Sequence, residues 1–508
     1  MARIAEPFPI FYDDDGTPLD NGAIYVGAVD QNPRAAPVQV FYDEARTVAA
    51  TQPIRTLNGR PAYQGAPTRL YIAETAYSIE VQNRFGTPVT GPANDDSLGA
   101  EDIVYTPAGP GAVTRTVQAK LRDTVSVKDF GAVGDGVAND APAFQAAINT
   151  GKNVFVPKGT YRIASALNIT APVAISGESK EAVISLPASA SFDLFRIASS
   201  NVMINTLTVQ GNGTQTGSIF KLRSSVGSYE MFFFENVETR QCHHFLTDDN
   251  STGVLTLCYI ENCFHRQPTG NGIDVNDLFA YFFVDRFTVD YVGVSAASSN
   301  TPGIRLRNCQ GSRFTNIDVL GGVIAGMASR RGFDIQDSEA VWLTRCMADT
   351  MGGEGVFIKN CDGVYLTEVT GSLCDLHQIV IDECNNVVGA SLYAGGRNAL
   401  SGAAAQDGVR ISGGSTAVAL SSVFAASNTG HGLHMTGAGS SAVVTSLTSR
   451  VNTLRGFRCG GQSAMVTGVQ LANNTAGNYE LVGTFDHATS IQLSSGALVV
   501  NATGPVTA

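Results

Sequence analysis

The chain has 508 residues, a formal net charge of −12, only 15% charged residues and 54 glycines. No nucleic-acid partner is expected, because affinity for phosphates comes mainly from clustered lysine and arginine, and the sequence has no such cluster. Abundant glycine with β-branched and small polar residues is typical of many short strands joined by tight turns, and helix formers are too sparse for a helical bundle.

The N-terminal sequence MARIAEPFPIFYDDDG lacks the cationic and apolar regions of a signal peptide. No later window holds eighteen uninterrupted apolar residues, the length of a membrane-spanning helix. We therefore expect a chain that is made in the cytoplasm and is not embedded in a membrane.

The first 90 residues alternate short apolar runs with turn sequences. The runs are AIYVG, VQVFYD, RLYIA and YSIEVQ, and the pattern predicts a small β domain of hairpins. PIFYDDDGTPLDNGAIYVGAVDQNP, with QPIRTLNGRPAYQGAPTRLYI and YSIEVQNRFG, resembles the head-binding domain of tailspikes from short-tailed phages. The resemblance implies that residues 1–110 bind tail or portal-adaptor proteins of a virion, and that the chain forms a homotrimer.

Residues 111–125 are predicted to form a neck with a short helix, because Val113, Val117 and Leu121 recur every four residues. The following VSVKDFGAVGDGVANDAPAFQAAI and VFVPKGTYRI resemble the opening of the pectate-lyase-like β-helices. A helix near residues 140–149 is expected to cap the first turn, with Asp140 accepting from its free amides. On this interpretation Asp129, Asp135 and Asp140 serve turns and caps; a catalytic role is the alternative.

A glycine-led signature then recurs along the chain: glycine, apolar, variable, apolar, variable, and Asn, Asp or Gly. It starts at residues 272, 303, 332, 355, 408, 432 and 456, with a degenerate copy at 378. The basal spacing of about 24 residues predicts a solenoid. Together with the resemblance, it gives an all-β fold, with a right-handed parallel β-helix over residues 126–480 and a C-terminal β cap over residues 481–508.

Alternation along each signature predicts which side chains face inward, since neighbouring strand residues point to opposite faces. Ile273 and Val275 are the first such inward pair. Cys309, Cys361 and Cys384 fall in one core column, where geometry allows a disulfide between the last two, although cytoplasmic assembly favours free thiols. No zinc pattern is present, and we expect neither metal nor cofactor.

Three spacings exceed the basal unit, and the surplus residues are predicted to form loops over residues 290–303, 320–332 and 393–408. Such loops are candidates for the walls of a sugar-binding groove.

Glycoside hydrolysis needs two carboxyl groups about 5 to 9.5 Å apart, and outward residues on a β-helix have such spacings. The first candidates are Asp334 and Asp337, with Glu354 as third member. The second candidates are Asp274 and Asp277, with Asp285 or Asp290. The alternative is that these groups form ordinary surface ion pairs, since stacking places Arg305 beside Asp334 and Lys359 beside Asp382.

Other candidates depend on aromatic, basic and imidazole side chains. Trp342 and Phe357 are predicted to face outward, where aromatic rings stack on sugars, with Arg305 and Arg331 as further carbohydrate ligands; burial against another subunit is the alternative for both rings. GHG at 430–432 resembles a polygalacturonase motif, but the accompanying NTD and RIK segments are absent. His431 is therefore interpreted as a turn residue, with a catalytic role as the alternative. His243, His244 and His434 are interpreted as solvated, with binding of sugar or cations as the alternative.

The leading hypothesis is a virion tailspike that adsorbs to bacterial surface polysaccharide and cleaves it as an endoglycosidase. A spike that binds without cleaving, and a polysaccharide lyase, are the alternatives. A secreted pectinase fits poorly with the N-terminal resemblance.

Overall fold

The computed structural model describes part of the chain, in two compact units, Met1–Arg122 and Asp123–Ala508. Each unit is considered by itself. The described residues are 10–13, 15–74, 76–94, 100, 103–223, 228–249, 253–276, 279–291, 301–321, 330–396, 405–460, 463–483 and 500–502.

The first unit consists of short antiparallel strands around a small apolar core. One sheet has the order β6-β5-β4-β1-β8-β9, a second has the order β3-β2-β7, and β10 pairs with β11. Predicted runs such as YSIEVQ lie on these strands. The strands are β1 Ala23–Gly27, β2 Val40–Phe41, β3 Ala49–Ala50, β4 Ile54–Leu57, β5 Arg60–Tyr63, β6 Ala66–Pro67, β7 Tyr71–Ile72, β8 Ser78–Gln82, β9 Pro88–Asn94, β10 Val104–Tyr105 and β11 Arg115–Thr116.

The predicted neck helix is shorter than its spacing suggested. Helix α1 covers only Val117–Leu121 and is capped by the Thr116 hydroxyl, which accepts from the Ala119 amide at 3.1 Å. Val113 therefore lies outside the helix, because β11 occupies the intervening residues. Val113 is 71% exposed and Leu121 67% exposed.

The second unit begins with β12 Thr124–Ser126, a 3-10 helix over Val127–Phe130, β13 Asp135–Asn139 and helix α2 Ala141–Ile148. The predicted side-chain cap by Asp140 is wrong. Its carboxylate accepts from the amides of Val133 and Gly134, at 2.7 and 3.2 Å, and makes no hydrogen bond to α2. The backbone amides of the preceding glycine-rich turn bind the Asp140 oxygens in place of the helix amides.

The remaining strands follow one another with few interruptions. They are β14 Asn153–Val156, β15 Gly159–Arg162, β16 Leu167–Ile169, β17 Val173–Gly177, β18 Ala182–Ser185, β19 Phe195–Ile197, β20 Val202–Asn205, β21 Thr208–Gln210, β22 Ser218–Leu222, β23 Tyr229–Glu235, β24 Glu238–Arg240, β25 His244–Asp248, β26 Leu255–Arg266, β27 Ile273–Asn276, β28 Phe279–Asp290, β29 Ile304–Arg307, β30 Arg313–Leu320, β31 Phe333–Gln336, β32 Glu339–Thr344, β33 Met347–Asp349, β34 Val356–Lys359, β35 Asp362–Thr367, β36 Thr370–Ser372, β37 Ile379–Asp382, β38 Asn385–Gly395, β39 Val409–Ser412, β40 Thr416–Ala426, β41 Leu433–Met435, β42 Ser441–Arg450, β43 Phe457–Gly460, β44 Ser463–Thr467, β45 Gln470–Ala472, β46 Tyr479–Gly483 and β47 Val500–Ala502.

These strands form two parallel sheets of a β-solenoid. Within the described residues, the long sheet has 22 strands, and the short sheet has 14 strands in the order β16-β19-β22-β25-β27-β29-β31-β34-β37-β39-β41-β43-β46-β47. Every predicted signature start from 272 to 456 is followed, one residue later, by a short-sheet strand. The solenoid prediction is thus confirmed, while its handedness stays a prediction. At the C-terminus β47 pairs in parallel with β46 and extends the short sheet.

The core of the solenoid is built from stacked inward columns. Ile273 pairs with Ile304, which pairs with Phe333, and these side chains are completely buried, as alternation predicts. All nine cysteines are buried in this core, and none forms a disulfide. The thiols of Cys361 and Cys384 donate to inward backbone carbonyls, those of Ile335 and Ile358. Cysteine thus acts here as a small apolar residue.

Candidate functional site

One outward column runs along the short sheet, one residue from each strand. Successive members pair in register from β27 to β46. We call it the short-sheet column, and its members are Asp274, Arg305, Asp334, Phe357, Val380, Arg410, His434, Arg458 and Glu480. The residues just before each strand's leading glycine or its equivalent, among them Arg331, Glu354, His377, Asp407 and His431, lie beside it.

Asp334 and Glu354, two of the first candidates, are joined by one arginine. The Asp334 side chain is only 6% exposed and accepts from Arg307 at 2.7 Å, from Arg331 at 3.1 Å and from Gln336 at 2.9 Å. Arg331 also donates to Glu354 at 2.8 Å. The three donors bind both oxygens of Asp334, so the position of this carboxylate is fixed by charge-assisted hydrogen bonds.

Asp337, the remaining first candidate, lies at the turn after β31. Its backbone adopts the left-handed conformation, with φ at 53°, and its carboxylate accepts from the Asn360 amide at 2.6 Å. The structure thus gives Asp337 a partner different from those of Asp334 and Glu354. A catalytic role for the three residues stays a prediction.

The second candidates lie on different sheets. The carboxylate of Asp274, on the short sheet, accepts hydrogen bonds from Nε and Nη2 of Arg305, at 2.6 and 2.5 Å. Asp285, on the long sheet, accepts from Asn316 at 2.8 Å and pairs with Arg286 at 2.7 Å. Asp277 lies outside the described residues. So do residues 292–300, 322–329 and 397–404, the larger parts of the three predicted loops.

The ion-pair alternative is confirmed in part. Arg305 stacks beside Asp334 in register, as predicted, but bonds Asp274 instead. Lys359 stacks beside Asp382 and pairs with it at 3.3 Å. On the aromatic side, the Arg331 guanidinium lies 3.6 Å from the centre of the Phe357 ring.

Trp342 faces outward on the long sheet, between inward Val341 and Leu343, as alternation predicted. Its ring stacks on Tyr365, with centroids 5.1 Å apart and planes 9° apart. The Arg313 guanidinium lies 4.7 Å from the Trp342 centroid. Stacked flat rings with an adjacent cation make a rigid aromatic platform.

The platform belongs to an outward column of the long sheet that is largely apolar. Its members pair in register from β20 to β44. We call it the long-sheet column, and its members are Met203, Phe233, Tyr259, Phe283, Arg313, Trp342, Tyr365, Val388, Ala419, Val443 and Met465. Exposure of Tyr365 at 39% and Val388 at 48% leaves a continuous apolar stripe on the surface.

A surface pocket of about 260 Å³ opens beside Trp342. Its polar lining includes Gln310, Arg313 and Glu339, and Tyr281, 58% exposed, forms part of its wall. Aromatic faces beside a few convergent polar groups are the usual composition of a small-ligand site.

A second polar centre, which we call the Asp407 cluster, consists of His377, Asp407, Arg410, His431 and His434. The Asp407 side chain is 3% exposed. Its Oδ2 accepts from His434 Nδ1 at 2.9 Å and lies 3.6 Å from Arg410, and its Oδ1 accepts from the His431 amide at 2.9 Å. His434 is therefore bound to a buried carboxylate, and the prediction that it is solvated is wrong.

Burial and charge shift the pKa values of this cluster. Burial alone would raise the pKa of Asp407, but the hydrogen bond from His434 and the nearby imidazoles together lower it. Burial, with the adjacent His434, lowers the pKa of His431 to about 4. Burial also lowers the pKa of His377, against the opposing effect of Asp407. At neutral pH the cluster thus combines the ionised carboxylate of Asp407 with the neutral imidazoles of His377 and His431.

The sequence carried one signal for this cluster. His377, Asp407 and His431 each come one residue before the leading residue of a strand signature, so consecutive turns stack them. The longer spacing between 378 and 408 concealed this relation.

Comparison with known proteins adds to this picture. Residues 124–251 match the family described as rhamnogalacturonase A/epimerase, pectate lyase-like. The tail spike protein of Shigella phage Sf6 is 26% identical over 242 residues, covering 39% of this chain and 38% of that protein. The preneck appendage protein of Bacillus phage PZA is 30% identical over 199 residues, covering 37% of this chain and 20% of that protein.

Among solved structures, tailspike protein 3 of bacteriophage CBA120 aligns with a TM-score of 0.47 and 15% identity, over 80% of this chain and 67% of that one. The matched region covers about two fifths of the Shigella phage Sf6 protein and one fifth of the Bacillus phage PZA protein. Within the described residues, no helix is long and apolar enough to cross a membrane. Over part of its length the chain is thus similar to phage tail spike and preneck appendage proteins and to the pectate-lyase-like family.

Proposed function

We propose that the chain is a virion spike that binds polysaccharide of the bacterial surface through the outer wall of its solenoid. The observation that carries this proposal is the Trp342 platform with its adjoining pocket. Sugar rings have apolar faces that stack on aromatic rings, while their hydroxyls need hydrogen-bonding groups nearby. Trp342 and Tyr365 supply the flat surface, and Gln310, Arg313 and Glu339 supply the polar groups.

The domain organisation belongs to the same proposal. Residues 1–110 attach to tail or portal-adaptor proteins, residues 111–125 form a neck, residues 126–480 bind the glycan, and residues 481–508 end the spike. Three chains assemble about the neck, where Val113 and Leu121 expose apolar side chains that a partner chain could cover. A solution mass of one chain for the purified protein contradicts the trimer.

Cleavage of the bound glycan by an endoglycosidase mechanism is the finer proposal, with Asp334 and Glu354 as the carboxyl pair. Binding without cleavage is favoured by one observation: Arg307, Arg331 and Gln336 already occupy both oxygens of Asp334. An acid catalyst must place a carboxyl oxygen against the leaving oxygen of the substrate, and both oxygens of Asp334 already accept hydrogen bonds from protein side chains.

The binding proposal is tested with purified protein and surface polysaccharide extracted from the host. Trp342→Ala is expected to weaken binding at least tenfold, about 1.4 kcal/mol, because the stacking surface is lost. Tyr393→Ala is the matched control, since Tyr393 stacks on Phe424 in another part of the long sheet, with centroids 5.5 Å apart. Equal affinities of Trp342→Ala and the wild type contradict the platform.

The cleavage proposal is tested by following new reducing ends during incubation with the same polysaccharide. Wild-type protein should release them, and Glu354→Gln should abolish the release while leaving affinity intact. Asp274→Asn is the control for this pair, because it removes another carboxylate of the short-sheet column. It should release reducing ends as the wild type does. Tight binding without reducing ends establishes the non-cleaving spike instead, and products absorbing in the ultraviolet indicate a lyase.

A further inference from the structure

Within the Asp407 cluster, the proton positions of His377 are fixed by its neighbours. The backbone amide of Asp407 donates to His377 Nδ1 at 2.9 Å. A backbone amide can only donate, so Nδ1 is an acceptor and carries no proton. The pKa of His377 is lowered by burial, and at neutral pH the ring is neutral with its single proton on Nε2.

That Nε2–H points at another donor. Nη1 of Arg410 lies 3.1 Å from His377 Nε2, and a guanidinium has donors only. The two groups cannot satisfy one another, so both need an acceptor that approaches from outside. Access exists, because the Arg410 side chain is 33% exposed and that of His377 is 19% exposed.

The nearby carboxylates are engaged with other partners. Asp407 lies 3.6 Å from Arg410, but its closer contacts are with the ring and the amide of two histidines. Glu354 is bonded by Arg331 at 2.8 Å. The pair of donors at His377 and Arg410 therefore lacks an acceptor of matching geometry within the described part of the solenoid.

The alternative occupant, a metal ion, fits less well. Asp407, His431 and His434 offer three ligand atoms within 4.8 Å of one another. However, His434 Nδ1 donates its proton to Asp407, and Arg458 approaches His434 Nε2 at 3.4 Å. A cation here would displace an existing hydrogen bond and face the charge of Arg410, which lies 3.6 Å from the same carboxylate.

We infer that His377 and Arg410 bind the carboxylate of an acidic sugar, so that the polysaccharide recognised by this solenoid is anionic. This inference rests on the proposed binding function and specifies its substrate class. One carboxylate oxygen accepts from His377 Nε2–H and the other from the Arg410 guanidinium, a charge-assisted arrangement that favours a planar, two-oxygen group. Phe357, a partly exposed member of the short-sheet column on a preceding turn, provides apolar surface near it.

The test uses ligand-observed NMR titration of the full chain at pH 7 with sodium glucuronate, its methyl ester and glucose. Glucuronate should bind the wild type at least tenfold more tightly than the ester or glucose. Arg410→Gln should weaken glucuronate binding at least tenfold, and Arg410→Lys less, because it keeps the charge but not the fork of donors. Arg450→Gln, at an exposed arginine of β42 on the long sheet that belongs to neither proposed site, is the matched control and should bind glucuronate as the wild type does.

Two outcomes overturn the inference: glucuronate binding no tighter than its uncharged ester, or unchanged by Arg410→Gln. Binding of glucose 1-phosphate in place of glucuronate shows that the carboxylate assignment is wrong. Failure of the proposed function appears separately, as absence of polysaccharide binding by the wild type or unchanged affinity in Trp342→Ala. Neither of those results alters the glucuronate titration.

Discussion

His265 gives the solenoid a defined sensitivity to acid. The side chain is completely buried on β26; its Nε2 donates to the His243 carbonyl at 3.1 Å, and its Nδ1 accepts from the Thr239 hydroxyl at 2.5 Å. The neutral ring thus satisfies both nitrogens. Burial lowers the pKa of His265 to about 3, compared with 6.5 for an unperturbed imidazole.

The direction in which the free energy of unfolding changes with pH follows from the difference between the folded-state and unfolded-state pKa values. The folded-state pKa lies below the unfolded one, so the unfolded chain takes up the proton first as the pH falls. The contribution of His265 to stability is fully present above pH 6.5 and is lost between about pH 6.5 and 3. A difference of about 3.5 pKa units corresponds to about 5 kcal/mol over that range, with a slope approaching 1.4 kcal/mol per pH unit.

The measurement compares the guanidinium unfolding free energy of the wild type with that of His265→Gln between pH 7.5 and 4. Glutamine can donate to the His243 carbonyl and accept from Thr239, but it does not titrate. Carboxylates and other histidines contribute equally to both proteins, so the difference between them isolates His265. The wild type should lose more stability on acidification; parallel curves over the whole range refute the reasoning.

Further predictions concern the structure that supports the sites. Asp334→Asn should lower the free energy of unfolding by about 3–5 kcal/mol, because Arg307 and Arg331 lose their buried counter-charge; Asp337→Asn, at an exposed turn, should change it by less than about 0.5 kcal/mol. Phe220→Ala should cost about 3–5 kcal/mol in the same guanidinium assay, because this fully buried ring contacts three others; a loss under 1 kcal/mol contradicts the packing described.

Much of the solenoid could be predicted from local sequence. Each glycine-led signature places a strand one residue later, and alternation within it assigns inward and outward side chains correctly, as for Ile273 and Trp342. Such patterns are local, since a strand's two faces are set by neighbouring residues alone. The neck helix was overestimated, because a spacing of four residues at Val113 could not reveal that β11 takes Arg115–Thr116.

The candidate sites were less predictable, because they depend on which turns lie next to each other. Asp334 and Glu354 were predicted as candidate catalytic carboxylates, but the sequence did not show that Arg331 connects them or that Arg307 reaches Asp334 from another turn. The partner of His434 is Asp407, 27 residues earlier and beside a long insertion. Only the register of consecutive turns brings these residues together, and an insertion obscures that register in the sequence.

The strict alternation of side chains in the short sheet separates two kinds of evolutionary constraint. Ile379 and Ile381 fill the coil, while Val380 between them points outward beside the proposed anion site. Exchanges at outward positions leave the interior packing untouched and are generally tolerated within about 0.5 kcal/mol. Under the proposed function, glycan specificity can therefore change by single substitutions at exposed outward positions of the solenoid, while core packing constrains the inward residues between them.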